Sequence, residues 1–251
     1  GTLPATTNIN GTNALTKLEI NRAGAVFNPN SVLTITTLNL FNGSYENSTS
    51  TLFMADGGTI ERRLNSSTIL TNAPDVSLPF SDRFNVVYNN AAALTTDIEL
   101  NGSATRLNNL TKQGAGQLNL SQSITVNGDL TLSAGTFALG TNNLILGDDF
   151  ISNGAITTGV GSTFTFNGSA TLTGATVAAF RNLTVNGDFT PSLSYNVSGS
   201  YMVGPGATVN AGSGTVTFNG ATAVTVGALG TMNLNIEIGR ASCRERVSSP
   251  V

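Results

Sequence analysis

The chain has 251 residues, a formal net charge of −3, 10% charged residues, a single Cys, no Trp and no His. Ordinary soluble domains carry roughly 25% charge, so this composition offers neither a basic patch for nucleic acid nor the high net charge of a disordered tract. No zinc-ligand spacing, nucleophile–His pair, Gly-Lys-Ser/Thr phosphate loop or internal disulfide can be drawn from these residues, and no apolar run reaches the roughly 20 residues of a membrane helix. The sequence therefore assigns no catalytic, cofactor-binding or metal residue, and it predicts no nucleic-acid partner and no membrane insertion.

The chain opens Gly1-Thr2-Leu3-Pro4, without Met or a basic-then-apolar leader, and is expected to be a piece of a longer protein. Val, Ile, Leu and Phe then alternate with Thr and Asn, the signature of half-buried strands. Leu18-Glu19-Ile20-Asn21-Arg22-Ala23-Gly24 matches Leu110-Thr111-Lys112-Gln113-Gly114-Ala115-Gly116 in pattern. Leu38-Asn39-Leu40-Phe41-Asn42-Gly43 matches Leu130-Thr131-Leu132-Ser133-Ala134-Gly135 at the same offset. The first hundred residues are thus expected to share the architecture of the rest. Residues 44–100 are the irregular stretch, predicted to be a wider coil or a loop insertion. Met54-Ala55-Asp56-Gly57-Gly58-Thr59-Ile60 leads into the charge cluster Glu61-Arg62-Arg63. Pro74, Pro79 and Phe80 mark a loop-like segment, and strand character resumes at Phe84-Asn85-Val86-Val87-Tyr88. If the chain carries a specific binding site, an insertion here is the expected place for it, because loops on a rigid scaffold carry function. Glu61-Arg62-Arg63 with Asp82-Arg83 is a candidate carbohydrate or protein contact; solvated loop charges are the plainer reading.

From residue 124 a phrase returns about every 20 residues. Ile124-Thr125-Val126, Leu144-Ile145-Leu146, Phe164-Thr165-Phe166 and Leu183-Thr184-Val185 are followed, less evenly, by Tyr201-Met202-Val203, Val216-Thr217-Phe218 and Leu234-Asn235-Ile236. A period near 20 lies in the solenoid range. In Leu183-Thr184-Val185-Asn186 the apolar residues point one way and Thr and Asn the other. Asn-Gly follows at Asn127-Gly128, Asn167-Gly168, Asn186-Gly187 and Asn219-Gly220, with Asn153-Gly154 elsewhere in the coil, and is expected to make the corner by adopting a positive φ. The same dipeptide also signals hairpins, so an antiparallel sandwich or barrel is the rival fold. Hairpins do not require a phrase to return in phase. The expectation is therefore an all-β parallel β-solenoid (β-helix) over residues 1–236, with coils of about 20 residues, right-handed by the default for parallel crossovers.

The succession Ala55-Asp56-Gly57-Gly58-Thr59-Ile60, Phe84-Asn85-Val86-Val87-Tyr88, Leu107-Asn108-Asn109-Leu110-Thr111 and Val126-Asn127-Gly128-Asp129-Leu130-Thr131-Leu132 resembles the large β-strand-repeat surface proteins of Bacteroidota-type bacteria. The resemblance covers roughly residues 10–236. It implies a secreted or cell-surface structural or adhesin-stalk segment, with surface glycans or other cell-surface proteins as partners, and it carries over no catalytic residues. The sorting domain that often ends such chains is not in this sequence. Glu237-Ile238-Gly239-Arg240-Ala241-Ser242-Cys243-Arg244-Glu245-Arg246-Val247 breaks with everything before it and resembles a translated sequencing adaptor. Residues 237–251 are accordingly read as a non-native tail.

Three further patterns have a chemical reading. Asp148-Asp149 could be the carboxylate pair of a β-helix polysaccharide hydrolase, although no His and no Arg-x-Lys support it. Asp129, Asp148, Asp149 and Asp188 could line one edge of the stack and hold Ca²⁺ through oxygen ligands. The glycine-aspartate nonapeptide of calcium-binding β-rolls is absent. Thr125/Asn127, Thr165/Asn167, Thr184/Asn186 and Thr217/Asn219 could form an ice-binding ladder, broken at Ile145/Gly147 and Met202/Gly204. Asn47-Ser48-Thr49 is a glycosylation sequon of the kind chance supplies in so Asn- and Thr-rich a chain.

Overall fold

The computed structural model describes residues 13–29, 31–49, 52–76, 83–221 and 223–238. Every strand pair among them is parallel, which excludes the antiparallel sandwich and establishes a β-solenoid. A twelve-stranded sheet runs from Asn13–Ile20 to Thr231–Met232. An eight-stranded sheet from Ile124–Val126 to Ile236–Ile238 forms a second face, and a four-stranded sheet and a three-stranded sheet complete the coils. Among the described residues helix is confined to a 3-10 turn at Ile98–Leu100 and one turn at Ser103–Arg106.

The strand pairing places Leu18, Leu38, Ile60, Val86, Leu110, Leu130 and Phe150 in a single column of the long sheet. Coils of 20 residues therefore widen to 26 between Ile60 and Val86 and 24 between Val86 and Leu110, then return to 20. The offset between Leu18 and Leu110 is four such coils. Strands within residues 44–100 belong to the same ladder, since Leu52–Arg62 and Phe84–Tyr88 pair with each other and with their neighbours. Residues 77–82, with Pro79, Phe80 and Asp82, lie outside the described residues, as do residues 239–251 of the expected tail. The last strand carries the ladder through Glu237 and Ile238.

Alternation sorts the side chains as expected. Leu183, Val185 and Phe189 are buried, and Thr184 and Asn186 are not. The core is one continuous cluster from Ile20 to Phe218. An interior stack of rings fills its later coils, with centroids 5.5 Å apart for Phe150–Phe164, 4.9 Å for Phe164–Phe180 and 4.4 Å for Phe166–Phe189, ending at Tyr195, Tyr201 and Phe218. Such offset and tilted contacts add about 0.5–1.5 kcal/mol each beyond area burial.

One corner expectation is overturned. Gly128, Gly154, Gly168 and Gly187 are not in the left-handed conformation. Their smallness serves close approach instead: a Cβ on Gly168 would collide with the Gly147 carbonyl oxygen, and one on Gly187 with that of Gly168. Successive corners stack backbone on backbone, as in Gly147 N–H to Val126 O (2.8 Å), Asn167 N–H to Leu146 O (2.8 Å) and Asn186 N–H to Phe166 O (2.8 Å). Left-handed turns occur at other glycines, among them Gly135 and Gly140.

Register also corrects the repeat list. Thr225–Ala228, not Val216–Phe218, stacks on Ser200–Val203. Val216–Phe218 stacks on the other half of that long strand, on Tyr195–Val197.

Candidate functional site

A side-chain ladder runs up one corner of the rod. Asn109 N–H donates to Asn85 Oδ1 (3.2 Å), Asp129 N–H to Asn109 Oδ1 (2.8 Å), Asp149 N–H to Asp129 Oδ1 (3.2 Å) and Thr171 N–H to Asp149 Oδ1 (2.7 Å). Each side-chain oxygen satisfies a backbone donor of the next rung. Asp129, Asp148 and Asp149 converge here, with carboxylate oxygens within 4.8 Å of one another. Asp188 is not part of that group; only its carbonyl enters the ladder, accepting from Ala170 N–H at 2.8 Å. Slight desolvation at the corner, then the like charges of Asp129 and Asp149, push the exposed Asp148 carboxyl above its usual range. The three carboxylates are the described residues that could hold a hard cation. Of the candidate hydrolytic pair Asp148-Asp149, Asp149 accepts through Oδ1 from the N–H and Oγ1 of Thr171 in the next rung.

The charge cluster of residues 61–63 is divided by strand alternation. Arg62 points inward and is 1% exposed. It pairs with Glu99, also 1% exposed, and donates from Nε to Ser67 O (2.6 Å). Tyr88 Oη donates to Glu99 Oε1 (2.6 Å), as does the Asp97 N–H (3.1 Å). Burial alone would lower the Arg62 pKa, but Glu99, Tyr88 and Asp97 outweigh it and hold the guanidinium charged. Burial, then Glu99, push the Tyr88 phenol well above its usual range. This network fills the widened coils; it is an interior brace and not the surface contact expected for Arg62. Asp82 lies outside the described residues, and Arg83 N–H binds Asp56 Oδ1 (3.2 Å).

Glu61 and Arg63 do face outward. Arg63 Nε donates to Glu61 Oε1 (2.9 Å), and its guanidinium lies 3.5 Å above the Phe41 ring centroid. Asn89 Nδ2 reaches the same Glu61 oxygen at 3.3 Å. Asn21, Phe41, Asn42, Arg63 and Asn89 border an open groove of about 380 Å³, with Glu61 behind Arg63 and Asn89 as their acceptor. Lys17, and more weakly Asn39 and Arg63, hold the Glu19 carboxyl below its usual range at the edge of this patch. Phe41 follows the buried Leu40, so a strict alternation already turns its ring outward.

The Thr face is in register over Thr125, Ile145, Thr165, Thr184 and Met202, with the two expected breaks. Thr217 leaves this rank, because it stacks on Asn196. Asn47 of the sequon is fully buried, with Nδ2 bound to Asn72 O and Ala73 O and Oδ1 to Leu52 N–H, so it is no glycosylation site.

No family model matches the chain, and no curated protein or solved structure is significantly similar to it. The geometry defines the class of protein, a parallel β-solenoid repeat protein. No helix among the described residues is long and apolar enough to cross a membrane.

Proposed function

We propose that the chain is a non-enzymatic structural segment, a spacer or adhesin stalk, of a bacterial secreted or cell-surface repeat protein. One observation carries the reading: one ladder of parallel strands runs from Asn13–Ile20 to Thr231–Met232, around one core that runs from Ile20 to Phe218. Ten steps along the path of the long sheet, at about 4.8 Å each, make a rod about 50 Å long. Its most chemically suggestive groups, the Asp129–Asp149 corner and the Arg62–Glu99 pair, are occupied in joining rung to rung. The neutral Thr/Asn exterior suits a spacer that must not attract counter-charged partners along its length.

The role is tested in the source cells with antibodies raised against the chain. Labelling of intact cells, lost on brief surface proteolysis, is the expected result; protein confined to the cytosol would sink the proposal. The mechanical reading is tested separately. Excising one whole coil, residues 144–163, should leave a cooperative melt and shorten the rod by about 5 Å in solution scattering. Val185→Asp, at a fully buried position, should abolish that melt.

A further inference from the structure

We propose that the groove beside Phe41 and Arg63 binds a linear, uncharged oligosaccharide laid along the rod axis. The groove residues occupy equivalent corner positions on four successive rungs: Asn21, Phe41-Asn42, Arg63 and Asn89 each follow a strand of the long sheet. Three rung steps of about 4.8 Å give a track of roughly 15 Å. A polymer of repeating saccharide units presents hydroxyls at regular intervals, so a repeating wall is a natural complement to it.

The chemistry of the wall selects the ligand class. The Arg63 guanidinium, stacked on Phe41 and tethered through Nε to Glu61, offers a flat, pre-oriented surface and leaves its two terminal nitrogens without partners among the described residues. The side-chain amides of Asn21 and Asn42 also make no hydrogen bond among the described residues. An amide pairs one donor and one acceptor with vicinal hydroxyls. The two carboxylates of the patch, Glu19 and Glu61, are each matched by a cation, Lys17 at 3.0 Å and Arg63 at 2.9 Å. That balance favours a neutral ligand over a uronic acid polymer.

A peptide strand is disfavoured on the same ground of inventory. The corner N–H groups are already used between rungs: Phe41 and Asn42 to Ile20 O (both 3.1 Å), Arg63 to Leu40 O (3.3 Å) and Asn89 to Arg62 O (2.9 Å). No free sheet edge is left here for strand addition. An open groove binds each unit weakly, so affinity should accumulate with ligand length.

The binding does not depend on the rod being a surface stalk; that reading supplies only the setting in which a glycan would be met. The experiment is a calorimetric titration of the purified chain with cello-, xylo- and mannohexaose, their disaccharides, and hexagalacturonate. At least one neutral hexaose should bind with Kd below about 1 mM, and its disaccharide at least about tenfold more weakly. Arg63→Ala and Asn42→Ala should each weaken the hexaose by at least about tenfold with unchanged thermal melts, while Thr165→Ala on the other face should not. The proposal is overturned if no neutral hexaose binds, if hexagalacturonate alone binds, or if both groove variants, still folded, keep full affinity. None of these outcomes bears on cell-surface labelling or on rod length.

Discussion

The two sides of the buried Arg62–Glu99 pair should be strongly coupled, so that removing both at once costs less than the two single removals added together. Both side chains are 1% exposed, so neither charge can recover solvation when its partner goes. Glu99→Leu leaves the guanidinium uncompensated and takes the acceptor from Tyr88 Oη and Asp97 N–H. Arg62→Met strands the carboxylate, whose Oε2 has no hydrogen-bond partner even in the native protein. An uncompensated buried charge costs about 3–5 kcal/mol. The double variant Arg62→Met/Glu99→Leu removes both charges and keeps most of the volume. It retains only the orphaned donors and acceptors, at about 1–3 kcal/mol each, so it should be more stable than the sum of the singles by about 2–3 kcal/mol. Urea unfolding followed by far-UV circular dichroism of the four proteins closes the cycle. Additive single costs, or a single cost below about 1 kcal/mol as for an exposed pair, would refute the interior assignment.

Three further outcomes are expected. Gly168→Ala and Gly187→Ala, whose Cβ would strike a carbonyl of the rung below, should each cost at least about 1–3 kcal/mol. Gly140→Ala has open space but a φ of 60° and should cost the left-handed strain of about 1–2 kcal/mol; unchanged thermal melts for Gly168→Ala and Gly187→Ala would contradict the close-approach role. Thr71, the one non-glycine with positive φ among the described residues (73°), should gain about 1 kcal/mol as Thr71→Gly, less what its bond to Glu46 Oε1 contributes; chemical denaturation reads the difference. Burial, partly offset by the Tyr201 hydrogen bond, pushes the Tyr195 phenol from 10.0 up to about 12. A raised folded pKa means that its stabilisation is complete below pH 10 and is lost as pH climbs to about 12. This phenol's share of the loss is about 3 kcal/mol at 1.36 kcal/mol per unit, and Tyr195→Phe should make the fall in melting temperature over that window shallower, leaving the shares of Tyr88 and Tyr201, whose phenols burial also raises.

Much of the architecture was legible because a two-residue alternation and a 20-residue return are one-dimensional signals. Leu183, Val185 and Phe189 could be placed inside and Thr184 outside without coordinates, and the 92-residue match between Leu18 and Leu110 marks a true shared column. The Asn-Gly corners were read correctly in position and wrongly in cause. Local propensity pointed to positive φ, whereas the demand on Gly168 comes from Gly147, some 20 residues away in sequence and one rung away in space. Charge was harder still. Glu61-Arg62-Arg63 is one cluster on paper, but a strand turns Arg62 into the core and its neighbours out, and the Glu99 that makes this bearable comes from the next widened coil. The outer groove has the same character: Arg63 stands out in sequence as part of a charge cluster, but Asn21, Phe41 and Asn89 become its neighbours only by rung stacking.

The sequence by itself thus determined the parallel stack, its inward columns and the absence of a His- or Cys-based site, since these follow from periodicity and composition. Only the tertiary structure decided which corners touch, which acids converge and which charge is buried. Those outcomes depend on register between rungs, and register is set where coils of 20, 22, 24 and 26 residues are brought into one column by the packing of the core.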